Sequence, residues 1–318
     1  MRAEEHRDRV RWLRGHAVYG AYRLAAALAC ALPARAVEPV AGVLGWKAAR
    51  LLRRRRRIVA RTMSRITHGA LEGRALANAV DAVFISYARY WLETFRLRGA
   101  TREFLEQGMQ VEGLAHLDAA CSSGRGLVLV TAHLGGWDFG GAWLAAQGYP
   151  VTVVVETLDS PPLLEWFARL RAGLGVEVVP HDSRTLDAMR AALASGRIVA
   201  LVCDRDLGRR GVPVELFGEA TSLPAGPARL AIEADVPVLP AAIYFRPDGG
   251  HHAVVRPPIA APRSGDFRTD VSALTQAIAA ELETLIGAEP TQWHIMQPNW
   301  PSDEEAAPRA RGAGSDGG

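Results

Sequence analysis

The sequence predicts an α/β fold with a mixed, largely parallel central sheet flanked by helices, and with a helical region at the N-terminus. From Leu127 onward, short apolar runs alternate with helical stretches, which indicates strands joined by crossover helices. From about Val10 to Leu97 the apolar residues instead recur at helical spacing. The chain has 318 residues, of which 49% are hydrophobic, so it can form one globular body with a full-sized core.

Residues 1–100 are predicted to form a helical, membrane-associating part. An Ala/Leu-rich stretch (Ala17 to Leu32) is followed by a segment ending in RLLRRRRR and by a third that reads DAVFISYARYWLETFRL. In the third segment Phe84, Tyr87 and Trp91 recur at spacings of three and four, which places them on one side of a helix. This stripe is either ordinary core packing or the wall of an apolar channel.

An unbroken run of basic residues favours an anionic membrane surface as a partner. Each basic residue near such a surface contributes about 1 kcal/mol of binding, and the Ala/Leu-rich stretch can lie in the interface beside the run. Nucleic-acid binding is the alternative for an arginine run, but no nucleic-acid module accompanies it. The run consists of Arg53, Arg54, Arg55, Arg56 and Arg57.

The predicted location is the cytoplasmic face of the cell membrane, as a peripheral or monotopic protein. No segment reaches the roughly 18 uninterrupted apolar residues of a membrane span. The stretch RLAAALACALPARA imitates a secretory signal, but Arg23 interrupts its apolar run and the preceding leader carries acidic residues, which argues against cleavage. Three scattered cysteines without a CxxC pair favour a reducing compartment.

Residues 101–302 are predicted to form the α/β core. Its strands are LVLVT, VTVVV, VEVVP, RIVALVC, VPVLPAAIYF and HAVVR. Leu163 to Ala172, Leu186 to Ser195 and Pro227 to Ala234 are predicted as covering helices, and Val271 to Ile286 as a closing helix. Residues 303–318 are polar and rich in Gly and Ala, so we expect a disordered tail.

The stretch TAHLGGWDFGG places His133 and Asp138 five positions apart, with Gly135 and Gly136 between them. On one continuous helix such side chains would be separated by roughly 140°, so they can meet only across a turn between a strand and a helix. Glycines allow that turn and leave room for a ligand against the main chain. We expect Asp138, in the first turn of a helix, to accept a hydrogen bond from the imidazole.

Such a pair can act as a general base, in which the aspartate sets the tautomer of the histidine and stabilises the imidazolium. No serine nucleophile accompanies it. If the substrate brings its own hydroxyl, His133 can deprotonate it for direct attack on an activated acyl group. The motif on its own also fits a helix-capping aspartate beside an unrelated histidine. No H-E-x-x-H occurs, and His251 and His252 are adjacent in a strand and point to opposite faces, so no metal site is predicted.

Four blocks together resemble the bacterial HxxxxD/E acyltransferases, which acylate lipid A precursors and, in actinobacteria, phosphatidylinositol mannosides. The blocks are TAHLGGWD, ETLDSPPLLEWFARLRAGLGVEVVP, LVCDRDLGRRGVPVELFGEATSLPAGPARLA and QWHIMQPNWP, in that order along the chain. The lysine-poor, arginine-rich composition and the QPNWP ending are more similar to the phosphatidylinositol mannoside branch than to the lipid A branch.

The resemblance implies site roles. His133 would be the general base and Asp138 its orienting acid. Arg171, or less favourably Arg169, would bind a phosphate or polar head group. The other substrate-binding positions implied, besides Gly135 and Gly136, are Glu156, Asp204, Arg205, Asp206, Pro224 and Gly226.

Alternatives stand beside several of these roles. Glu156 would hold sugar hydroxyls or simply end a strand at the surface. Either Asp204 or Asp206 would bind the acceptor, or Asp204 and Arg205 would form the turn after their strand. Pro224 and Gly226 would shape a wall beside the thioester, as part of a loop whose composition is also ordinary. Trp293 and Trp300 would be either membrane anchors or core residues.

The implied reaction transfers a long-chain acyl group from acyl-CoA, as co-substrate, to a glycolipid hydroxyl, with no cofactor. A lipid A-type acyltransferase and a membrane-bound ester or thioester hydrolase remain alternatives, although no G-x-S-x-G elbow occurs. The non-enzymatic alternative is a membrane-binding interaction protein.

Overall fold

The computed structural model describes residues 2–155, 160–180, 182–206 and 208–305, with side chains from residue 15 to residue 303. Its strands form a seven-stranded sheet and a separate two-stranded hairpin. The strands are β1 (Met109–Glu112), β2 (Leu127–Thr131), β3 (Val151–Val155), β4 (Glu177–Pro180), β5 (Ile198–Val202), β6 (Val212–Leu216), β7 (Glu219–Leu223), β8 (Val238–Phe245) and β9 (His251–Val255).

Helices precede the sheet and connect its strands. They are α1 (Arg2–Ala31), α2 (Val37–Leu51), α3 (Arg53–Ile66), α4 (Gly73–Arg96), α5 (Arg102–Gln107), α6 (Leu114–Ser122), α7 (Trp137–Ala146), α8 (Pro161–Gly173), α9 (Thr185–Ala194), α10 (Gly226–Ala234), α11 (Phe267–Ala288) and α12 (Pro301–Glu305), with 3-10 turns at Ala34–Ala36 and Pro290–Gln292.

The strand order in the main sheet is β1-β9-β8-β2-β5-β3-β4. Every neighbouring pair is parallel except β8 and β9, which are antiparallel. This confirms the predicted α/β class with a mixed, largely parallel sheet. All five residues of β2 and all eight of β8 are buried, as expected for strands covered on both faces.

The two faces of the sheet have different covers. Leu127 and Leu129 of β2 pack with Phe139 and Trp143 of α7. Val128 and Val130, which alternate with them, lie in the larger cluster that includes apolar residues of α9, α10 and α11. Because β2 and β5 are parallel neighbours, the residues that follow them emerge side by side at one edge of the sheet.

A third apolar cluster joins the N-terminal helices to the core, through residues of α1, α2, α4 and α8. Within the residues described, no single helix is long and apolar enough to cross a membrane, whereas the bent pair Gly15–Ala31 and Ala34–Leu51, with 116° between them, meets the length and composition test together.

Several elements were not predicted from the sequence. They are β1, the β6–β7 hairpin, α5, α6 and α12. The predicted tail boundary at residue 303 is wrong, because α12 extends to Glu305 and Asp303 is 3% exposed. The Asp303 carboxylate accepts the main-chain N–H groups of Asn299 (3.1 Å) and Trp300 (3.3 Å), which ties this helix to the core. Residues 306–318 lie outside the described part of the chain.

Candidate active site

A cavity of about 1050 Å³ lies at the edge of the sheet where β2, β3 and β5 end. Its walls are mainly apolar and come from the sheet, from α7 and α8, and from Tyr22, Tyr87 and Trp91 of the N-terminal helices. His133, which follows β2, lies on this wall with 23% of its side chain exposed.

The imidazole of His133 is held by Asp204, not by Asp138. Nδ1 of His133 lies 2.7 Å from Oδ1 of Asp204, and the main-chain N–H of His133 donates to Oδ2 over 3.0 Å. Asp204 follows β5, which pairs in parallel with β2, so the two residues meet across neighbouring strands. Because Nδ1 is engaged, Nε2 is the nitrogen left to exchange a proton with a ligand.

Asp204 is 0% exposed, and its oxygens are satisfied within the protein. Nε1 of Trp293 donates to Oδ2 over 2.7 Å, in addition to the two contacts from His133. Burial alone would raise the pKa of Asp204, but attraction to His133 and these hydrogen bonds lower it to about 2. The carboxylate is therefore ionised at neutral pH and can stabilise an imidazolium.

A second histidine lies behind the first. The main-chain N–H of His294 donates to the carbonyl oxygen of His133 over 2.8 Å, and its Nε2 lies 2.8 Å from Oγ of Ser86. Burial, followed by repulsion from His133, lowers the pKa of His294 to about 3, so this ring is neutral near pH 7. Trp293 and His294 lie in the block QWHIMQPNWP, and neither was predicted to hold His133.

Asp138 belongs to a different cluster. It accepts Nε of Arg171 over 2.9 Å and an Arg171 terminal nitrogen over 3.2 Å, and the hydroxyl of Tyr90 donates to it over 2.7 Å. These contacts tie the start of α7 to α8 and α4. The expected hydrogen bond between His133 and Asp138 is therefore wrong: the spacing of five residues puts both side chains beside the cavity, but the carboxylate faces the guanidinium.

The glycine turn between strand and helix is present, although its glycines do not face the ligand space. Gly135 has a positive φ of 57°, and a Cβ there would lie 2.0 Å from the carbonyl oxygen of Ile243. A Cβ on Gly136 would lie 2.6 Å from the ring of His251. Neither glycine lines the cavity, so the structure contradicts their predicted substrate contacts and gives them a close-packing role.

Three side chains predicted to bind a ligand already form hydrogen bonds or ion pairs with other groups of the protein. Asp204 is buried against His133, and the guanidinium of Arg171 pairs with Asp138. Asp206 lines the cavity but accepts the main-chain N–H of Gly211 (2.6 Å) and the hydroxyl of Ser222 (2.8 Å), which fastens the hairpin. The predicted acceptor contact of Asp204 and head-group contact of Arg171 do not fit this arrangement.

Other predicted positions do reach the cavity. The cavity is lined by Arg205, Pro224 and Gly226. The guanidinium of Arg205 donates to Oε1 of Gln297 over 2.9 Å. Arg169 lies instead on the rim of a second cavity and pairs with Glu165 over 3.4 Å. Glu156 lies outside the described residues.

The aromatic residues singled out in the sequence lie partly in the core and partly on the cavity wall. Trp293 and Trp300 are 2% and 1% exposed, so of the two alternatives they are core residues and not membrane anchors. The stripe on α4 combines both of its alternatives: Tyr87 and Trp91 line the cavity, whereas Phe84 packs in the main core.

The arginine run forms the first turns of α3. Arg53, Arg54, Arg55 and Arg57 are exposed, while Arg56 pairs with Asp81. Arg55 lines the cavity, so the run and the cavity share an edge. In the described part of the chain, no three His, Cys, Asp or Glu side chains are grouped as a metal site.

The fold and the site define an α/β protein with an Asp-oriented histidine on an apolar cavity. A sequence model of bacterial lipid A biosynthesis acyltransferases matches residues 7–302. The chain belongs to this family and is an acyltransferase. A phosphatidylinositol mannoside acyltransferase of Mycolicibacterium smegmatis is 38% identical over 235 residues, covering 73% of this chain and 75% of the relative. One from Mycobacterium tuberculosis is 38% identical over 231 residues, covering 71% of each chain.

Proposed function

We propose that this acyltransferase moves a long-chain fatty acyl group from acyl-CoA to a hydroxyl of a membrane glycolipid, most directly a mannose of a phosphatidylinositol mannoside. The observation that carries the proposal is the His133 imidazole, held at Nδ1 by the buried Asp204 and placed on the wall of a large apolar cavity. The names of the relatives from Mycolicibacterium and Mycobacterium support the choice of acceptor.

In the proposed reaction, Nε2 of His133 takes the proton of the acceptor hydroxyl as its oxygen attacks the thioester carbonyl. The new C–O bond forms, the C–S bond breaks, and the imidazolium returns its proton to the leaving thiolate. Asp204 keeps the proton of the neutral ring on Nδ1, which leaves Nε2 as the acceptor, and its negative charge stabilises the imidazolium.

Direct transfer fits the neighbourhood of His133 better than a covalent enzyme intermediate. Among the residues described, no serine or cysteine is hydrogen-bonded to this imidazole. Cys203 lies on the cavity wall, but burial raises the pKa of its thiol, so it is not a thiolate near neutral pH. The hydroxyl must then come from the substrate.

The apolar walls suit an acyl chain. Valines of β3, alanines of the central strands and leucines of α6 and α7 line the part of the cavity that lies against the sheet. Burial of each methylene group contributes about 0.8 kcal/mol. The binding energy of an acyl-CoA should therefore increase with the length of acyl chain that these walls cover.

The N-terminal helices suit an anionic membrane surface, on the cytoplasmic face of the cell membrane. Leu24 and Leu28 of α1 are 62% and 61% exposed, and Val43, Leu44 and Trp46 of α2 are also exposed. Cations in the first turn of a helix oppose its dipole, so the arginines of α3 are unfavourable there unless anions lie close by. Because Arg55 also lines the cavity, a lipid bound at this surface would be near its entrance.

The test is an assay of CoA release and of the acylated lipid, with palmitoyl-CoA as donor and a phosphatidylinositol mannoside as acceptor. We expect CoA release to require the acceptor, and His133→Ala to lower the rate by about 10³-fold or more. CoA release without an acceptor would identify a hydrolase, and preference for a lipid A precursor would identify the lipid A-type reaction. Tight lipid binding with no turnover of any acceptor would identify an interaction protein.

Membrane binding is tested separately with vesicles that contain anionic phospholipid. Replacing Arg53, Arg54 and Arg57 together by glutamine should weaken binding by about 3 kcal/mol, or roughly 100-fold, since each basic residue contributes about 1 kcal/mol. Binding should also fall with added salt. Binding of this variant to anionic vesicles as tight as that of the wild type would contradict the proposed surface. Arg102→Gln, at an exposed arginine of α5, is the control for the loss of a positive charge elsewhere on the surface.

A further inference from the structure

Two adjacent glycines in α7 have different surroundings. A Cβ on Gly140 would lie 2.6 Å from Cγ1 of Ile243, so this glycine lets α7 approach β8 closely. A Cβ on Gly141 would meet no heavy atom within 4 Å outside its own stretch of helix, although Gly141 lines the cavity. Packing of the protein therefore explains the first glycine and leaves the second unexplained.

The backbone does not require glycine at position 141 either. Gly141 lies inside a regular helix and is not among the glycines with positive φ. Glycine inside a helix is less favourable than alanine, because it loses more conformational freedom on folding. What position 141 preserves is empty space beside the helix.

That space lies along the path from His133 into the apolar part of the cavity. The ring of Trp137, one turn before Gly141 on α7, lies 5.2 Å from the ring of His133. Leu144, about one turn after Gly141, lines the cavity as well. Gly141 thus lies between the proposed reaction centre and the residues deeper in the wall.

The floor opposite α7 includes small side chains beside larger ones such as Leu129 and Ile243. Ala200 of β5, Ala241 of β8 and Ala253 of β9 line the cavity on the sheet face that α7 covers. A helix residue without a side chain above these alanines leaves a passage between apolar walls, which an apolar chain would fill favourably.

We propose that Gly141 is a specificity-determining residue, and that its missing side chain sets the length of acyl chain that the cavity accepts. This inference rests on the proposed function for the identity of the chain. A side chain at position 141 would occupy the passage, so long chains would lose contacts that short chains never make. Each methylene group excluded is worth about fourfold in kcat/KM or in binding.

The experiment compares Gly141→Ala and Gly141→Leu with Gly287→Ala, a matched control in α11. Gly287 is also a helical glycine whose Cβ would meet no heavy atom within 4 Å, but it does not line the cavity. Two readouts are used: the shift in Tm with free saturated fatty acids from laurate to stearate, and kcat/KM for the corresponding acyl-CoAs with the phosphatidylinositol mannoside acceptor. All three substitutions remove a helical glycine, so none should lower the Tm of the free protein.

We expect Gly141→Leu to shift the preferred chain length downward by about two carbons or more, so that stearate and stearoyl-CoA lose at least tenfold relative to laurate and lauroyl-CoA. Gly141→Ala should show a smaller shift and Gly287→Ala none. An unchanged length profile, an equal loss for all lengths, or a wild-type protein to which no fatty acid binds would overturn the inference. Graded fatty-acid binding without acyl transfer would refute the proposed function alone, since the chain-length readout in Tm does not depend on turnover.

Discussion

Asp204 and Asp138 are both shielded from solvent close to His133, with 0% and 10% of their side chains exposed, but their partners differ in kind. Asp138 faces the guanidinium of Arg171, a permanent cation, and its charge is neutralised in every state of the site. Asp204 faces an imidazole whose charge changes when it takes a proton. A carboxylate can assist a proton transfer only if its partner titrates, so the pair with His133 suits catalysis and the pair with Arg171 suits positioning.

The largest effect is expected from Asp204→Asn. In this variant the amide oxygen would accept the buried donors, Trp293 and the main-chain N–H of His133, and the amide NH₂ would face Nδ1. Nδ1 then becomes the hydrogen-bond acceptor and the ring proton moves to Nε2, which can no longer act as the base.

We expect kcat of Asp204→Asn to fall by about 10³- to 10⁴-fold. The measurement is acyl transfer at a temperature well below the Tm of each protein, with Asp138→Asn as the comparison. If Asp138→Asn lost as much activity as Asp204→Asn while its Tm stayed that of the wild type, the distinction between the two carboxylates would be wrong.

A smaller effect, on stability, is expected at the other carboxylate. Asp138→Ala and Arg171→Met each leave one charge uncompensated in a largely buried place, which should cost about 3 kcal/mol of the free energy of unfolding. The double variant should cost clearly less than the sum of the single variants, because the same interaction is removed. Urea denaturation measures all three, and additive losses would show that the pair is not coupled.

The smallest effect concerns the dependence of stability on pH. The folded-state pKa of His294 is lowered to about 3, so its contribution is fully present above the unfolded-state value near 6.5 and is lost as the pH falls towards 3. The pKa of Asp204 is lowered to about 2, so its contribution is lost only below about 4. Between pH 6.5 and pH 5, therefore, the contribution of His294 to the free energy of unfolding changes and that of Asp204 does not.

In that window the wild-type protein should lose about 2 kcal/mol of its free energy of unfolding through His294, at about 1.4 kcal/mol per pH unit. His294→Gln, whose amide can still reach Ser86, should remove this part of the slope. Urea denaturation at the two pH values is the measurement, and an unchanged slope in the variant would show that His294 does not titrate in this way.

Local pattern was sufficient for most of the core and insufficient for short or unusual elements. LVLVT, VTVVV and RIVALVC are almost entirely apolar, and each contains a strand of the main sheet. The hairpin VPVEL–EATSL contains a proline and two glutamates, and β1 has four residues, so neither shows a clear period. Such elements are identified only by the strands with which they pair.

The site shows the same division. His133 and the turn at Gly135 could be located from the sequence, because a histidine after a buried strand and a glycine before a helix are local features. The carboxylate that pairs with His133 is 71 residues away along the chain and the one five residues away pairs elsewhere. No spacing rule connects His133 to Asp204, whereas the parallel pairing of β2 and β5 brings them together.

Composition and local pattern by themselves determined the α/β class, six of the seven strands of the main sheet, the glycine turn and the arginine run. Each of these depends on residues adjacent in the chain or on one face of one element. Tertiary structure alone decided that Asp204 orients His133 and that Arg171 pairs with Asp138. It also decided that Trp293 and Trp300 are buried and that Gly141 borders empty space. These properties depend on the strand order and on the distance between elements, which hydrophobic periodicity does not encode.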